Sequence, residues 1–230
     1  VAPRFPENEN NEYAGLDITW NTYEDYFPLL EKKGIALNIL HTVGSSQVRR
    51  IVVGEEDREA TPEELARMKE LVSEAVKDGA VGLSTALIYP PGSYASTEEI
   101  IELARSASEY GGIYLSHMRN ESRGLLEAID EVIRISREAG IPGHIYHLKA
   151  AGRENWPRMA EAVQQISDAR GEGLAITADI YPYIRNGIGL GSFIHPGRYA
   201  RGEDVLFGQL NNAAVRRDIK QETETTNDWE

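Results

Sequence analysis

No cysteine occurs among the 230 residues, so disulfides and thiolate metal ligands within this chain are excluded, while the redox compartment stays undecided. Uninterrupted apolar runs are short, well under the roughly 18 residues that a membrane-spanning helix requires. The N-terminus lacks a basic segment leading into an apolar one, which predicts no signal peptide and, with it, a cytoplasmic protein. An initiating methionine is missing too, and the opening Val1-Ala-Pro-Arg4 predicts either processing or a piece of something longer. Positive charge is scarce: 24 Lys and Arg against 37 Asp and Glu leave a formal charge of −13. That balance disfavours nucleic acid and anionic membranes as partners. Walker-type loops, a Gly-x-Gly-x-x-Gly after a strand and a Gly-x-Ser-x-Gly elbow are all absent, which removes the usual nucleotide-binding and α/β-hydrolase signals.

What is present is enough apolar residue, 41% of the chain, for one sizeable domain, taken as residues 1–230. Residues 1–20 are polar and read as an extended or loop segment. Short apolar runs then alternate with helical patterns. Strands are predicted near 35–40, 80–87, 113–118, 142–148 and 174–180. Helices are predicted from Thr22 to Lys33 (kinked or starting late because of Pro28), Thr61 to Asp78, Ser96 to Tyr110, Ser122 to Ala139, Asn155 to Arg170, and more weakly Glu203 to Glu222. Thr61-Pro-Glu-Glu64 has the makings of a capping box, and Ser96-Thr-Glu-Glu99 repeats it. Asn155-Trp-Pro157 is read as a further cap. Residues 184–201 are Gly-rich and irregular. Near-continuous apolar strands alternating with helices predict a parallel sheet covered by helices. Five strands fit either a small open sheet or the middle of a closed barrel.

Chemistry concentrates where two apolar runs end in histidine, Ile113–His117 and Ile141–His147. In a barrel of this class the C-terminal strand ends carry the active site. Strand alternation predicts that Leu115, His117 and Arg119 share one face, as do Ile145, His147 and Lys149, with His144 turned towards the helices. A single strand-end histidine is more often a hydrogen-bonded structural residue. Two on neighbouring strands, each followed two residues on by a cation, suggest a metal site. His41 and Asp179 are the candidates for further ligands. Tyr89, Lys149, Tyr181 and Tyr183 form a second group, an ammonium among phenols suited to holding a carboxylate.

Gly79–Gly92 with its Leu-Ile-Tyr-Pro-Pro-Gly ending, Tyr114–Glu121, Ile145–Gly152 with Asn155-Trp156, and Asp179-Ile-Tyr-Pro-Tyr183 resemble, in order and spacing, the N-acyl-D-amino-acid deacylase (D-aminoacylase) branch of the metal-dependent amidohydrolases. The resemblance implies an α/β fold, part of a (β/α)8 TIM-type barrel covering about strands three to seven. The first strands, the last strand and the family's small β-sandwich are lacking. It implies zinc, with His117 and His147 as ligands, and Tyr89, Lys149 and a tyrosine of Tyr181-Pro-Tyr183 around the carboxylate of a small-molecule N-acyl amino acid. The implied reaction is hydrolysis of the amide of N-acyl-D-amino acids, with the proton-moving Asp expected beyond Glu230. Strand one's His-x-His and the family's zinc-binding Cys segment are not encoded, and Val1-Ala-Pro-Arg4 looks like the residues just after that Cys. The chain alone is therefore expected to be poorly stable and inactive, and to self-associate through exposed sheet edges. A cyclic-amide hydrolase of the dihydroorotase or hydantoinase kind, and a non-catalytic barrel remnant acting as an interaction module, are the alternatives.

Overall fold

A computed structural model describes residues 20–199 and 201–226. The extended segment expected over residues 1–20 falls, but for Trp20, outside the described residues, as does Val1-Ala-Pro-Arg4. Five parallel strands form one sheet: β1 (Val43–Gly44), β2 (Gly82–Ala86), β3 (Ile113–His117), β4 (Gly143–Ile145) and β5 (Ile176–Ala178). Their spatial order repeats their chain order, with Leu83 opposite Tyr114, Ser116 opposite Ile145, and Ile145 opposite Ala178.

The helices are α1 (Tyr23–Lys33), α2 (Ser45–Val52), α3 (Pro62–Lys77), α4 (Thr97–Ser108), α5 (Leu125–Ala139), α6 (Arg158–Gly171), α7 (Glu203–Gln209) and α8 (Ala213–Thr226). From α3 to α6 each packs on the next, in a single layer. One core lies between that layer and the sheet, joining Val43, Leu83, Tyr114, Ile145 and Ile176 to Met68, Leu103, Ile129 and Ile166. A doubly wound sheet would reverse its strand order and carry helices on both faces. Sequential order with one helix layer is instead an arc of a (β/α) barrel, as predicted.

The helix starts follow local chemistry. Thr61 Oγ1 accepts from the Glu64 N–H and the Glu64 carboxylate accepts from the Thr61 N–H, completing the capping box. Ser96 caps α4 in the same way, but Glu99 does not return the bond. Its buried carboxylate pairs with buried Arg49, at 2.5 Å. Gly140 closes α5 in the left-handed conformation. Gly82 permits the tight β2–β3 approach, since a Cβ there would meet the Ile113 carbonyl oxygen at 1.9 Å.

Several boundaries differ from expectation. The run 35–40 is no strand: Leu37 is 76% exposed, β1 begins only at Val43, and the unpredicted helix α2 follows at once. An apolar run without a paired neighbour lacks the ladder bonds and burial that define a strand. Helix α1 begins at Tyr23, capped by Thr22, and runs through Pro28. Asn155 does not cap α6; its amide donates to the Ala151 carbonyl, and the helix starts at Arg158. Helix α5 starts at Leu125, and the last helix is two, α7 and α8. Residues 190–193 and 196–198 make short 3-10 turns within the irregular stretch.

Candidate metal centre and carboxylate pocket

His117 closes β3 and shares its face with Leu115, while Tyr114, Ser116 and Met118 turn to the helices, so alternation places it as expected. Tyr114 is sealed among the helices, its hydroxyl 3.0 Å from Thr85 Oγ1, and burial pushes its phenol up to about 12. On the next strand alternation holds, but with the opposite parity to the one expected. β4 ends at Ile145, which is fully buried on the helix side, so His144 lies on the opposite, inner face, not among the helices as predicted. There its Nε2 lies 2.9 Å from Asp179 Oδ2 and its Nδ1 2.8 Å from Thr177 Oγ1.

His147 reaches the same face by another route. It lies beyond the strand with φ +39°, the only non-glycine residue in the left-handed region among those described. Such a conformation costs of order 1–3 kcal/mol in a residue with a Cβ. The reversal of the chain there resets the parity, and the ring swings round to place Nε2 2.9 Å from His117 Nδ1.

Behind the pair sits Glu121, 2% exposed, a residue that sequence reasoning left without a role. Its Oε1 is 3.0 Å from His147 Nδ1 and 2.5 Å from Lys149 Nζ, which in turn lies 2.7 Å from His147 Nδ1. A signal existed: a lysine aimed into a mouth of imidazoles requires a counter-ion, and Glu121 was the nearest acid after His117. Arg119 does not join the mouth, contrary to the shared-face expectation. Its guanidinium grips Glu131 and donates to the carbonyls of Ser93 and Ala95, at 3.0 Å each, tying down the loop that carries Tyr89. The Tyr89 ring lies 5.4 Å from the His117 ring. Lys149 Nζ stands 5.6 Å from the centre of the Tyr181 ring, and the Tyr183 ring lies tilted 6.2 Å beyond it, largely exposed.

Together these groups line a cleft of about 310 Å³, with Arg185 also on its wall. Lys149 carries three N–H donors. One points at Glu121; with the His147 Nδ1 proton on Glu121 that nitrogen cannot accept from Lys149, so the other N–H groups are left for a ligand in the cleft. His41 is not part of the cleft, being ringed by Tyr23, Tyr26 and Phe27. Asp179 lies outside the donor cluster as well, its carboxylate committed to His144 and to the His147 backbone. Burial works to raise its pKa, but those two hydrogen bonds hold it below the usual carboxylate value.

The donor chemistry fits a metal ion. His117, Glu121 and His147 bring ligand atoms within 4.8 Å of one another. Burial, then the nearby His147, then Lys149 push the His117 imidazolium down to about 4, so the ring is neutral at pH 7. A neutral His117 is poorly served by protein partners alone. If its proton lies on Nδ1, towards His147, buried Nε2 has a lone pair and no donor; if the proton lies on Nε2, it meets no acceptor. In the second case, with the His147 Nδ1 proton on Glu121, two bare nitrogens face each other at 2.9 Å. A metal ion held by His117 and His147 would remove that conflict. Glu121 then takes the part of the carboxylate that orients a ligating histidine through its other nitrogen.

No family model matches the chain. It is 40% identical over 170 residues to D-aminoacylase of Alcaligenes xylosoxydans xylosoxydans, covering 74% of this chain and 35% of that protein. To the N-acyl-D-glutamate deacylase of the same organism it is 34% identical over 158 residues, covering 69% of this chain and 32% of that one. Among solved structures it resembles N-acyl-D-glutamate deacylase of Bordetella bronchiseptica complexed with zinc and a phosphonate mimic of the tetrahedral intermediate. There the TM-score is 0.69 at 33% identity, covering 71% of this chain and 35% of the other. The chain thus spans about a third of the length of the curated relatives it matches.

Proposed function

We propose, from the premise that this chain belongs with the N-acyl-D-amino-acid deacylases of the amidohydrolase superfamily, that residues 1–230 are one incomplete barrel domain of such an enzyme. The reaction it serves is hydrolysis of the amide of an N-acyl-D-amino acid. The observation that carries this reading is the His117–His147 pair, 2.9 Å apart beside buried Glu121 and half-buried Lys149.

His117 and His147 would hold zinc, which would supply Lewis acidity towards an amide carbonyl and a lowered pKa for a bound water. The rest belongs to the chain's own groups. Glu121 holds His147 by Nδ1 and keeps its Nε2 turned to the cleft. The N–H groups of Lys149 that Glu121 does not take, with the Tyr89, Tyr181 and Tyr183 rings around them, receive the substrate carboxylate and orient the amide towards the histidines. Glu121 also limits that attraction: its charge offsets Lys149, so the carboxylate binds by shared hydrogen bonds and not by a bare ion pair.

The proposal extends to a cytoplasmic protein. Among the described residues no helix is long and apolar enough to cross a membrane. It also extends to self-association where, among the described residues, β1 and β5 lack an outer neighbour and Leu40, Ile180 and Ile184 are exposed.

The test is made in the protein that carries these residues. Zinc content and release of free amino acid are followed with N-acetyl-D- and N-acetyl-L-amino acids, for the native protein and for His117→Ala and His147→Ala. Both variants are expected to lose zinc and nearly all D-selective turnover. Lys149→Met is expected to retain zinc and raise KM. Turnover untouched by either histidine change, or a preference for L-substrates or cyclic amides, would overturn the assignment.

A further inference from the structure

The histidine pair depends on a backbone conformation that glycine favours and His147 does not. We propose that Asp179 is the positioning residue that holds it. Asp179 Oδ1 accepts the His147 N–H at 2.6 Å, the Asp179 carbonyl accepts the Leu148 N–H at 2.8 Å, and the Asp179 N–H donates to the Ile145 carbonyl at 3.1 Å. Residues 145–148 are thus gripped on both sides of the left-handed residue by one residue of the neighbouring segment.

The carboxylate is itself anchored. Its Oδ2 lies 2.9 Å from His144 Nε2, and His144 Nδ1 lies 2.8 Å from Thr177 Oγ1. With the proton on Nε2, His144 donates to Asp179 and accepts from the Thr177 hydroxyl, so every polar atom of its ring is satisfied. The line Thr177, His144, Asp179, His147 backbone therefore ends on the turn that aims the His147 ring. The more common support for a ligating histidine, a partner on its second ring nitrogen, is here Glu121. Asp179 does a different job, fixing the main chain and not the ring. His144, which strand alternation assigned to the helix layer, gains its role from lying on the inner face.

The inference rests on His117 and His147 as ligands, and the experiment separates the two ideas. In the native chain the His147 amide proton is expected strongly downfield and slow to exchange, with or without metal. Asp179→Ala is expected to abolish both properties and to weaken zinc binding by about ten- to a hundredfold, the usual cost of losing a partner outside the ligand shell. Asp179→Asn, which keeps an oxygen for the His147 N–H, is expected to restore most of each. His144→Phe, which frees the carboxylate, is expected to shift both readouts in the same direction by less. Native-like zinc affinity and an unmoved His147 amide in Asp179→Ala would overturn the proposal. Should Asp179→Ala fail to fold, a fast-exchanging His147 amide in the native chain would overturn it equally. Zinc binding that His117→Ala leaves unchanged would remove the ligand reading alone, and Asp179 would then stand or fall on the amide.

Discussion

At the scale of single residues, His117 and His147 arrive at one place by different means. His117 is delivered by plain strand alternation. His147 is delivered by a turn in which alternation no longer applies, and a period-two pattern carries no information about where a strand stops. The sequence therefore marked both residues as candidates but inverted the neighbour His144, and it passed over Glu121, whose role comes from a lysine 28 positions away. The depressed pKa of His117 sets a pH dependence for the metal-free chain. An unfolded histidine titrates near 6.5, whereas this one titrates at about 4, so between those values the unfolded state binds more protons. The group's contribution is complete above pH 6.5, declines as the pH falls, and is fully lost below 4. Urea midpoints measured from pH 7.5 to 4.5 are expected to drop more steeply for the native chain than for His117→Gln. Parallel curves would contradict that assignment.

At the scale of elements, legibility tracked how local the determinant is. Helix α3 announces itself through Thr61-Pro-Glu-Glu64, whose bonds span three residues and need no tertiary partner. Replacing Thr61 with alanine is expected to cost about 0.5–2 kcal/mol in a denaturant titration. Glu64 has a second partner in Arg58, so the carboxylate stays placed when the hydroxyl is gone and the lower half of that range is expected. The same motif at Ser96 reads alike in sequence yet behaves differently, because Arg49, 50 positions from Glu99, takes the carboxylate into the core. Strands are still less local. The run 35–40 has strand-like residues but, among the described residues, no strand pairs with it, while Val43–Gly44, too short to notice, pairs in register with Leu83 and Ser84.

For the whole molecule, the alternation of strand and helix sufficed to predict parallel strands under one helix layer. What it left open, sheet or barrel arc, is decided by the strand order, which depends on how successive units dock. The arc has a middle and two ends: β3 has partners on both sides and lies under α4, whereas β1 and β5 are short and, among the described residues, have one partner each. Native-state hydrogen exchange is expected to protect β2, β3 and the flanking α4 and α5 most. β1, β5, α1 and the α7–α8 segment are expected to exchange sooner, and equal protection throughout would count against this hierarchy. Because, among the described residues, each strand after β1 pairs with the one made just before it, the pairing from β1 to β5 leaves no strand waiting for a distant mate. Each strand-and-helix pair can settle as it leaves the ribosome, using the previous pair as its template, so synthesis and assembly run in the same direction.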